Sequence, residues 1–201
     1  MLKVGLTGGM ASGKTFVGQE LAALGCHVIQ ADELGHAALL PDGEAYAAVV
    51  REFGPAILDA GGIIDRRQLA AEVFNNPERL AVLNHLVHPV VFRREEETLA
   101  EFARQDPAGI GVIEAAILIE TGHYKAFDRI IVVVCTPEQQ IERALRRDGL
   151  PEEEIRARLS RQMPLSEKRK FADFVIDTSG EKVDTVRQTR EVYASLRRIQ
   201  K

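Results

Sequence analysis

Along the chain, short apolar runs alternate with stretches whose apolar residues recur every three or four positions. Leu2 to Thr7 alternates and stops at Gly8-Gly9, which predicts a first strand feeding a turn; Lys14 to Leu24 then places Val17, Leu21 and Leu24 on one helical stripe. Gly25 is the stop for that helix, and Cys26 to Gln30 predicts a second short strand ending just before Asp32. Ile110 to Ala115, Arg129 to Cys135 and Phe174 to Asp177 predict three more strands, each short, apolar and set apart by helical pattern. Alternation of this kind implies an α/β fold with a parallel sheet, because parallel neighbours are joined through crossover helices. Thr136-Pro137 reads as a cap and first-turn proline opening a helix to about Arg147, and Glu181 to Ile199 closes the chain with Val183, Val186, Tyr193, Leu196 and Ile199 on one stripe.

Residues 32–108, between the second and third strands, carry helical pattern and hardly any strand pattern. They predict a helical insertion punctuated by Pro41-Asp-Gly, Gly61-Gly62, Asp65 before Arg66 to Phe74, Pro77 opening Glu78 to Leu86, and Pro89 opening a separate helix to about Gln105. No repeat or low-complexity linker interrupts the chain, so the insertion is expected to pack on the sheet while able to hinge toward it.

Composition narrows the class. The 201 residues suit one α/β domain with an insertion, and 45% hydrophobic with 28% charged residues is a globular balance. The longest apolar run, Ile130 to Cys135, is far below the ~18 residues of a membrane span, and the start of the chain lacks a signal peptide's apolar region, so a cytoplasmic location is expected. Cys26 and Cys135 sit in apolar settings and read as reduced core cysteines. A net charge of −4 offers no whole-chain attraction for nucleic acid or an acidic membrane. From Arg143 to Lys170, however, nine Lys or Arg face five Asp or Glu; alone, such a run reads as a solvated helix face.

The chemistry concentrates after the first strand. Gly8, Gly9, Met10, Ala11, Ser12, Gly13, Lys14 and Thr15 fit Gly, four residues, Gly-Lys-Thr, joining a predicted strand to a predicted helix. Such a loop turns successive N–H groups inward, and the helix that starts there adds its positive end, making a cradle for phosphates. Lys14 would reach the β and γ phosphates with an exposed ammonium, and Thr15 would offer its hydroxyl to Mg²⁺. Asp32 follows the second strand at the sheet edge that carries the loop; position leaves open whether it accepts a proton, holds Mg²⁺ through water, or caps a helix from Glu33 onward. Glu114 and Glu120 bracket the end of the third strand, where an acid could support Mg²⁺ through the groups that bind it; Glu114 taken alone reads rather as a surface carboxylate. Arg143 and Arg147, four apart on one helix, could clamp a phosphate, and Gly149-Leu-Pro151 followed by Arg158 and Gln162 has the form of a closing lid. His85 and His88 lack partners at metal spacing, and His88 reads as a residue at a helix start.

These residues together resemble bacterial dephospho-CoA kinases over nearly the whole chain. Gly5 to Thr15 is similar to the family's phosphate loop and Ala31-Asp32 to the second half of its Asp-Ala-Asp motif. Leu83-Asn-His-Leu-Val-His88-Pro89, Ile117-Leu-Ile-Glu120, Gln140-x-x-Arg143, Arg147-Asp148, Arg158 to Gln162, Lys168 and Ala172 to Asp177 continue the agreement in order. The resemblance implies a P-loop kinase with a five-stranded parallel sheet, a helical acceptor-binding insertion and a lid within about residues 143–170. Its implied reaction uses ATP with Mg²⁺ and phosphorylates the ribose 3′-hydroxyl of dephospho-CoA. By the same resemblance Asp32 is the general base, Arg143 and Arg147 are phosphate clamps, and His88, Glu120, Arg143 and Gln162 lie at the substrates. Gln30 stands where the family pair has its first Asp, Ala116 where proline is usual, and Thr178 where asparagine is usual. A kinase for another small acceptor, such as a nucleoside monophosphate, is the alternative. A guanine-nucleotide switch is disfavoured because Asn75, Asn76 and Asn84 are none of them followed by Lys.

Overall fold

In a computed structural model, which describes residues 1–74 and 76–200, five parallel strands form one sheet in the order β2-β3-β1-β4-β5. They are β1 (Leu2–Gly8), β2 (His27–Gln30), β3 (Ile110–Glu114), β4 (Arg129–Val134) and β5 (Phe174–Asp177). Every strand points the same way, so Gly8, Gln30, Glu114, Val134 and Asp177 end at one edge. The chain divides into two compact units, one of residues 1–30 with 99–201 and one of Ala31–Thr98.

In the first unit, alternate residues of the strands build one buried layer. Leu2, Val4 and Leu6 of β1, Ile110 and Val112 of β3 and Ile131 and Val133 of β4 pack with Val17 and Leu21 of α1 (Lys14–Ala23) and Val192 and Leu196 of α9 (Lys182–Ile199). Glu114 continues the Ile110, Val112 series, which directs an acid toward the α1 side. On the opposite face the strand glycines make room: a Cβ on Gly5 would meet Leu118 Cδ2 at 2.5 Å, and one on Gly111 would meet Leu99 Cδ2 at 2.4 Å. α6 (Pro137–Asp148) starts with the cap read from sequence, Thr136 Oγ1 accepting from Gln139 N while Gln139 Oε1 accepts from Thr136 N. It stops at Gly149, whose φ of +63° suits glycine. α7 (Glu152–Leu159) and the short α8 (Leu165–Lys168) lead from there to β5.

The second unit is helical, as its pattern predicts. Ala45, Val49 and Phe53 around α3 (Tyr46–Phe53) join Ile57, Ile64, Leu69 and Val73 in a separate core, lined by Leu83, Leu86, Val87 and Val90 of α5 (Pro77–Gln105). Asp65 caps α4 (Arg66–Phe74) by accepting from Arg67 N at 2.8 Å. α2 (Ala31–Ala38) completes it.

Two expectations need correction. Pro89 does not open a new helix: α5 runs unbroken from Pro77 to Gln105 with Pro89 inside it, which places His88 in a helix interior and not at a start. An interior proline forfeits a backbone hydrogen bond and costs about 3 kcal/mol. Pro89 is exposed, however, and the stripe Leu83, Leu86, Val87, Val90 keeps its phase across it, so the second core holds both halves in one helix. The helical unit also ends at Thr98; residues 99–108, expected within the insertion, belong to the sheet unit, where Leu99 packs.

Both cysteines are free, Cys26 buried and Cys135 half-buried. Burial pushes the Cys26 thiol from 9.0 up to about 12, with the Arg197 charge opposing, and burial also raises Cys135. At pH 8 native Cys26 is expected to resist iodoacetamide for hours while the unfolded chain alkylates at once, because the thiolate is the nucleophile. The folded thiol holds its proton more tightly than the unfolded one, so its contribution to stability is intact below 9.0 and declines as pH rises toward 12. Mass-mapped alkylation against time checks the first expectation; rapid native labelling at Cys26 contradicts it.

Candidate active site

The turn after β1 is shaped by close approaches. A Cβ on Gly8 would lie 2.5 Å from Ser12 Oγ and 2.7 Å from the Val133 carbonyl, and Gly13 holds φ at +89° where α1 begins. Ala11 adopts φ of +56°, a left-handed conformation that costs an L-residue about 1–2 kcal/mol, so the loop is held by its surroundings. α1 has no acidic residue in its first turn and no side-chain cap, leaving its first N–H groups and positive dipole end for an anion.

Glu114 fixes the two side chains next to this cradle. It is 4% exposed, and its Oε1 accepts from Thr15 Oγ1 at 2.7 Å and from Lys14 Nζ at 3.1 Å. Gly18 makes this possible, since a Cβ there would stand 2.8 Å from Glu114 Oε2. The reading of Glu114 as a surface carboxylate is thus wrong, and so is that of an exposed Lys14 ammonium, because the lysine side chain is 12% exposed and paired. The signal in the sequence was an acid on the inward-facing series of an otherwise apolar strand. Gln30 is in register with Glu114, so a neutral side chain neighbours this carboxylate on β2.

Other elements hold the loop backbone. Thr178, buried just past β5, directs Oγ1 to the Ser12 carbonyl at 2.8 Å and accepts from Arg143 NH1 at 2.9 Å, while Arg143 NH2 donates to the Thr178 carbonyl at 2.6 Å. Gln140 Nε2 donates to the Met10 carbonyl at 2.7 Å and Gln162 Oε1 accepts from Met10 N at 2.8 Å. Lys168 is fully buried; its Nζ donates to the Ala116 carbonyl at 2.5 Å and pairs with Glu120 Oε1 at 2.9 Å, which also accepts from Met163 N at 3.0 Å. Burial lowers the Lys168 pKa, Glu120 counteracts this, and the like charge of Lys14 adds to the lowering.

The structure therefore gathers Lys14, Thr15, Arg143, Glu120 and Gln162 about the loop in the first unit, but it does not gather Arg147. That exposed side chain lies along Asp148, Nε to Oδ1 at 2.7 Å, and the hydrogen bond lowers the Asp148 pKa and raises that of Arg147. Arg158 likewise pairs with Glu154 at 2.6 Å. In the second unit, Asp32 is exposed in the first turn of α2, which starts at Ala31, so it is not the residue that caps the helix. The His88 ring lies 5.6 Å from that of Phe92. Among the described residues no cluster of three His, Cys, Asp or Glu could hold a metal ion, and no helix is long and apolar enough to cross a membrane.

A parallel sheet of this order with a Gly-x-x-x-x-Gly-Lys-Thr loop after its central strand defines a P-loop nucleotide-binding protein of the kinase type. More narrowly, the chain belongs to the dephospho-CoA kinase family, whose model matches residues 2–184. It is 39% identical over 198 residues to the dephospho-CoA kinase of Aquifex aeolicus, covering 98% of this chain and 99% of that one. Its fold is similar to that of TT1252 from Thermus thermophilus (TM-score 0.85, 32% identity, 96% of each chain). It is also similar to the dephospho-CoA kinase from Campylobacter jejuni (TM-score 0.73, 26% identity, 99% of this chain and 98% of that one).

Lys14→Ala is expected to lower turnover several hundred-fold, the usual effect of losing a charged contact of ~3–4 kcal/mol in the transition state. It should also lower stability by about 1–3 kcal/mol, because the buried Glu114 carboxyl group would be left without its cationic hydrogen-bond partner. Adding Glu114→Gln should recover most of the lost stability and none of the turnover. Thermal melts of the four proteins in the cycle test this; a fully stable Lys14→Ala protein would refute the coupling.

Proposed function

We propose that the protein transfers the γ-phosphate of ATP to the 3′-hydroxyl of dephospho-CoA, giving coenzyme A, and does so in the cytoplasm. The observation that carries the reading is the shared Glu114 carboxylate, which sets Lys14 and Thr15 beside the open N-terminus of α1 within a chain of this family. Loop N–H groups and the helix end bind the β and γ phosphates, and Lys14 follows the charge as it moves to the bridging oxygen. The Thr15 hydroxyl and the Glu114 carboxylate are hard oxygen donors that suit Mg²⁺, and Thr15, supported by Glu114, would hold it. When bound, Mg²⁺ supplies neutralising charge at the phosphate oxygens.

Asp32, at the first turn after β2, is the base that takes the proton from the attacking hydroxyl. The unit of Ala31–Thr98, with His88, binds the acceptor, and Arg143 contributes positive charge from α6. The segment of about residues 143–170, with its break at Gly149, serves as the lid that excludes water. Glu120 and Gln162 act here through Lys168 and Met10, which are their partners on this side of the site.

Incubation with ATP and Mg²⁺ and each of dephospho-CoA, AMP and shikimate, followed by product mass, is expected to show phosphorylation of dephospho-CoA at least a hundred-fold faster than of the other two. Preferential phosphorylation of AMP would instead make the protein a nucleoside monophosphate kinase. Asp32→Asn should melt within about 1 kcal/mol of the parent, since only an exposed charge near a helix end is lost. Its single-turnover rate with saturating ATP, Mg²⁺ and dephospho-CoA should fall at least a hundred-fold. A fall of less than about threefold removes Asp32 from the role of general base.

A further inference from the structure

Both backbone groups of Met10, in the phosphate loop, are taken by side chains from distant parts of the chain. Gln140, buried on the second turn of α6, reaches its carbonyl at 2.7 Å, and Gln162, in the turn after α7, reaches its N–H at 2.8 Å. The approach of Gln140 requires Gly9, because a Cβ there would stand 2.4 Å from Nε2; the same position lies 3.4 Å from Leu165 Cδ2 of α8. The two glutamines differ in mounting. Gln140 belongs to a helix anchored by a full capping box, whereas Gln162 lies beyond the Gly149 break, and the turn that carries it is tied back through Met163 N to Glu120.

We propose that Gln140 and Gln162 form a clamp on the two peptide groups flanking the Met10 Cα that sets the geometry of the phosphate loop and makes it depend on the position of the segment following α7. Both are positioning residues: they touch the loop backbone, not the reacting atoms. The loop already stores strain at Ala11, one residue further on, so two neutral hydrogen bonds on the adjoining residue are of the right size to decide which conformation it keeps. When the α7–α8 segment sits over the loop, Gln162 completes the clamp; when it moves off, Met10 N–H is released and the cradle loosens. Lid position and nucleotide affinity are thereby linked through one hydrogen bond. The kinetic part of this inference rests on the kinase reading above, and the backbone part does not.

The test compares Gln162→Leu, which keeps size and loses the acceptor, with Gln162→Glu, which keeps an oxygen in the same place. Residue-resolved amide hydrogen exchange on the full chain should show Met10 N–H exchanging at least several-fold faster in Gln162→Leu and protected as in the parent in Gln162→Glu. Calorimetric ATP affinity of Gln162→Leu, measured with no acceptor present, should weaken about three- to tenfold, the range of one lost neutral hydrogen bond. In turnover, Gln162→Leu should raise the KM for ATP and lower kcat while leaving the KM for dephospho-CoA unchanged. Gly9→Ala and Gln140→Ala should each weaken ATP binding, and the double variant should be little worse than either, because each removes the same contact.

Unchanged Met10 exchange in Gln162→Leu, or a raised KM for dephospho-CoA alone, overturns the clamp and returns Gln162 to the acceptor. If the parent protein failed to phosphorylate dephospho-CoA, the kinase reading would fall while the exchange and ATP-binding results still decided the clamp.

Discussion

A carboxylate buried at the end of β3 is the constraint on which the site depends. Glu114 sits at 4% exposure with one oxygen accepting from both Lys14 and Thr15. An acid in that position is costly unless its charge is answered, and the P-loop lysine answers it. The cost and the catalytic geometry are therefore one arrangement: the lysine needed by the phosphates is the cation needed by the strand. Gly18 gives way on α1, and Gln30 on β2 brings no second negative charge to the register neighbour.

The cradle itself is held from outside. Ser12 is tied by Thr178 from beyond β5, Met10 by α6 and the turn after α7, and Lys14 and Thr15 by β3. None of these contacts is local in sequence, and each comes from a different element at the carboxyl edge of the sheet. Strain at Ala11 is sustained because the flanking residues are fixed. The same distribution explains why Arg143 is turned toward Thr178: its guanidinium steadies the hydroxyl that in turn steadies the loop.

Much of this was legible in the sequence, where the relevant physics is local. The five strands, the Thr136 cap and the phosphate loop are set by periodicity, capping chemistry and a glycine pattern, and the strands lie within a residue of their expected bounds. Pro89 failed as a boundary because it was judged as a breaker, whereas the apolar stripe running through it is anchored in the second core. Arg147 failed as a partner of Arg143 because helical spacing says which residues share a face and nothing of a competing carboxylate at the next position. The grips of Gln140, Gln162 and Thr178 on the loop could not be read at all, since they join residues 130, 152 and 166 positions apart. Glu114 lay between: the face on which it falls was readable from strand alternation, and only its residue type argued for the surface.

Gln30, Ala116 and Thr178, three positions at which this chain departs from the pattern it resembles, fall at these supporting junctions, and the structure gives two of them a reason. Thr178, where asparagine is usual, needs one donor for the Ser12 carbonyl and one acceptor for Arg143; a hydroxyl supplies both, as a side-chain amide would. Ala116, where proline is usual, is used through its carbonyl, which accepts from Lys168 and from Thr7 Oγ1 at 3.3 Å. Alanine and proline offer the same acceptor, so what the exchange loses is the fixed φ of proline, and the buried lysine restrains the same peptide from outside. That charged hydrogen bond ties the turn after β3 to α8. The chain direction after β3 is thereby held by Lys168, and the loop, the strand end and α8 form one connected support.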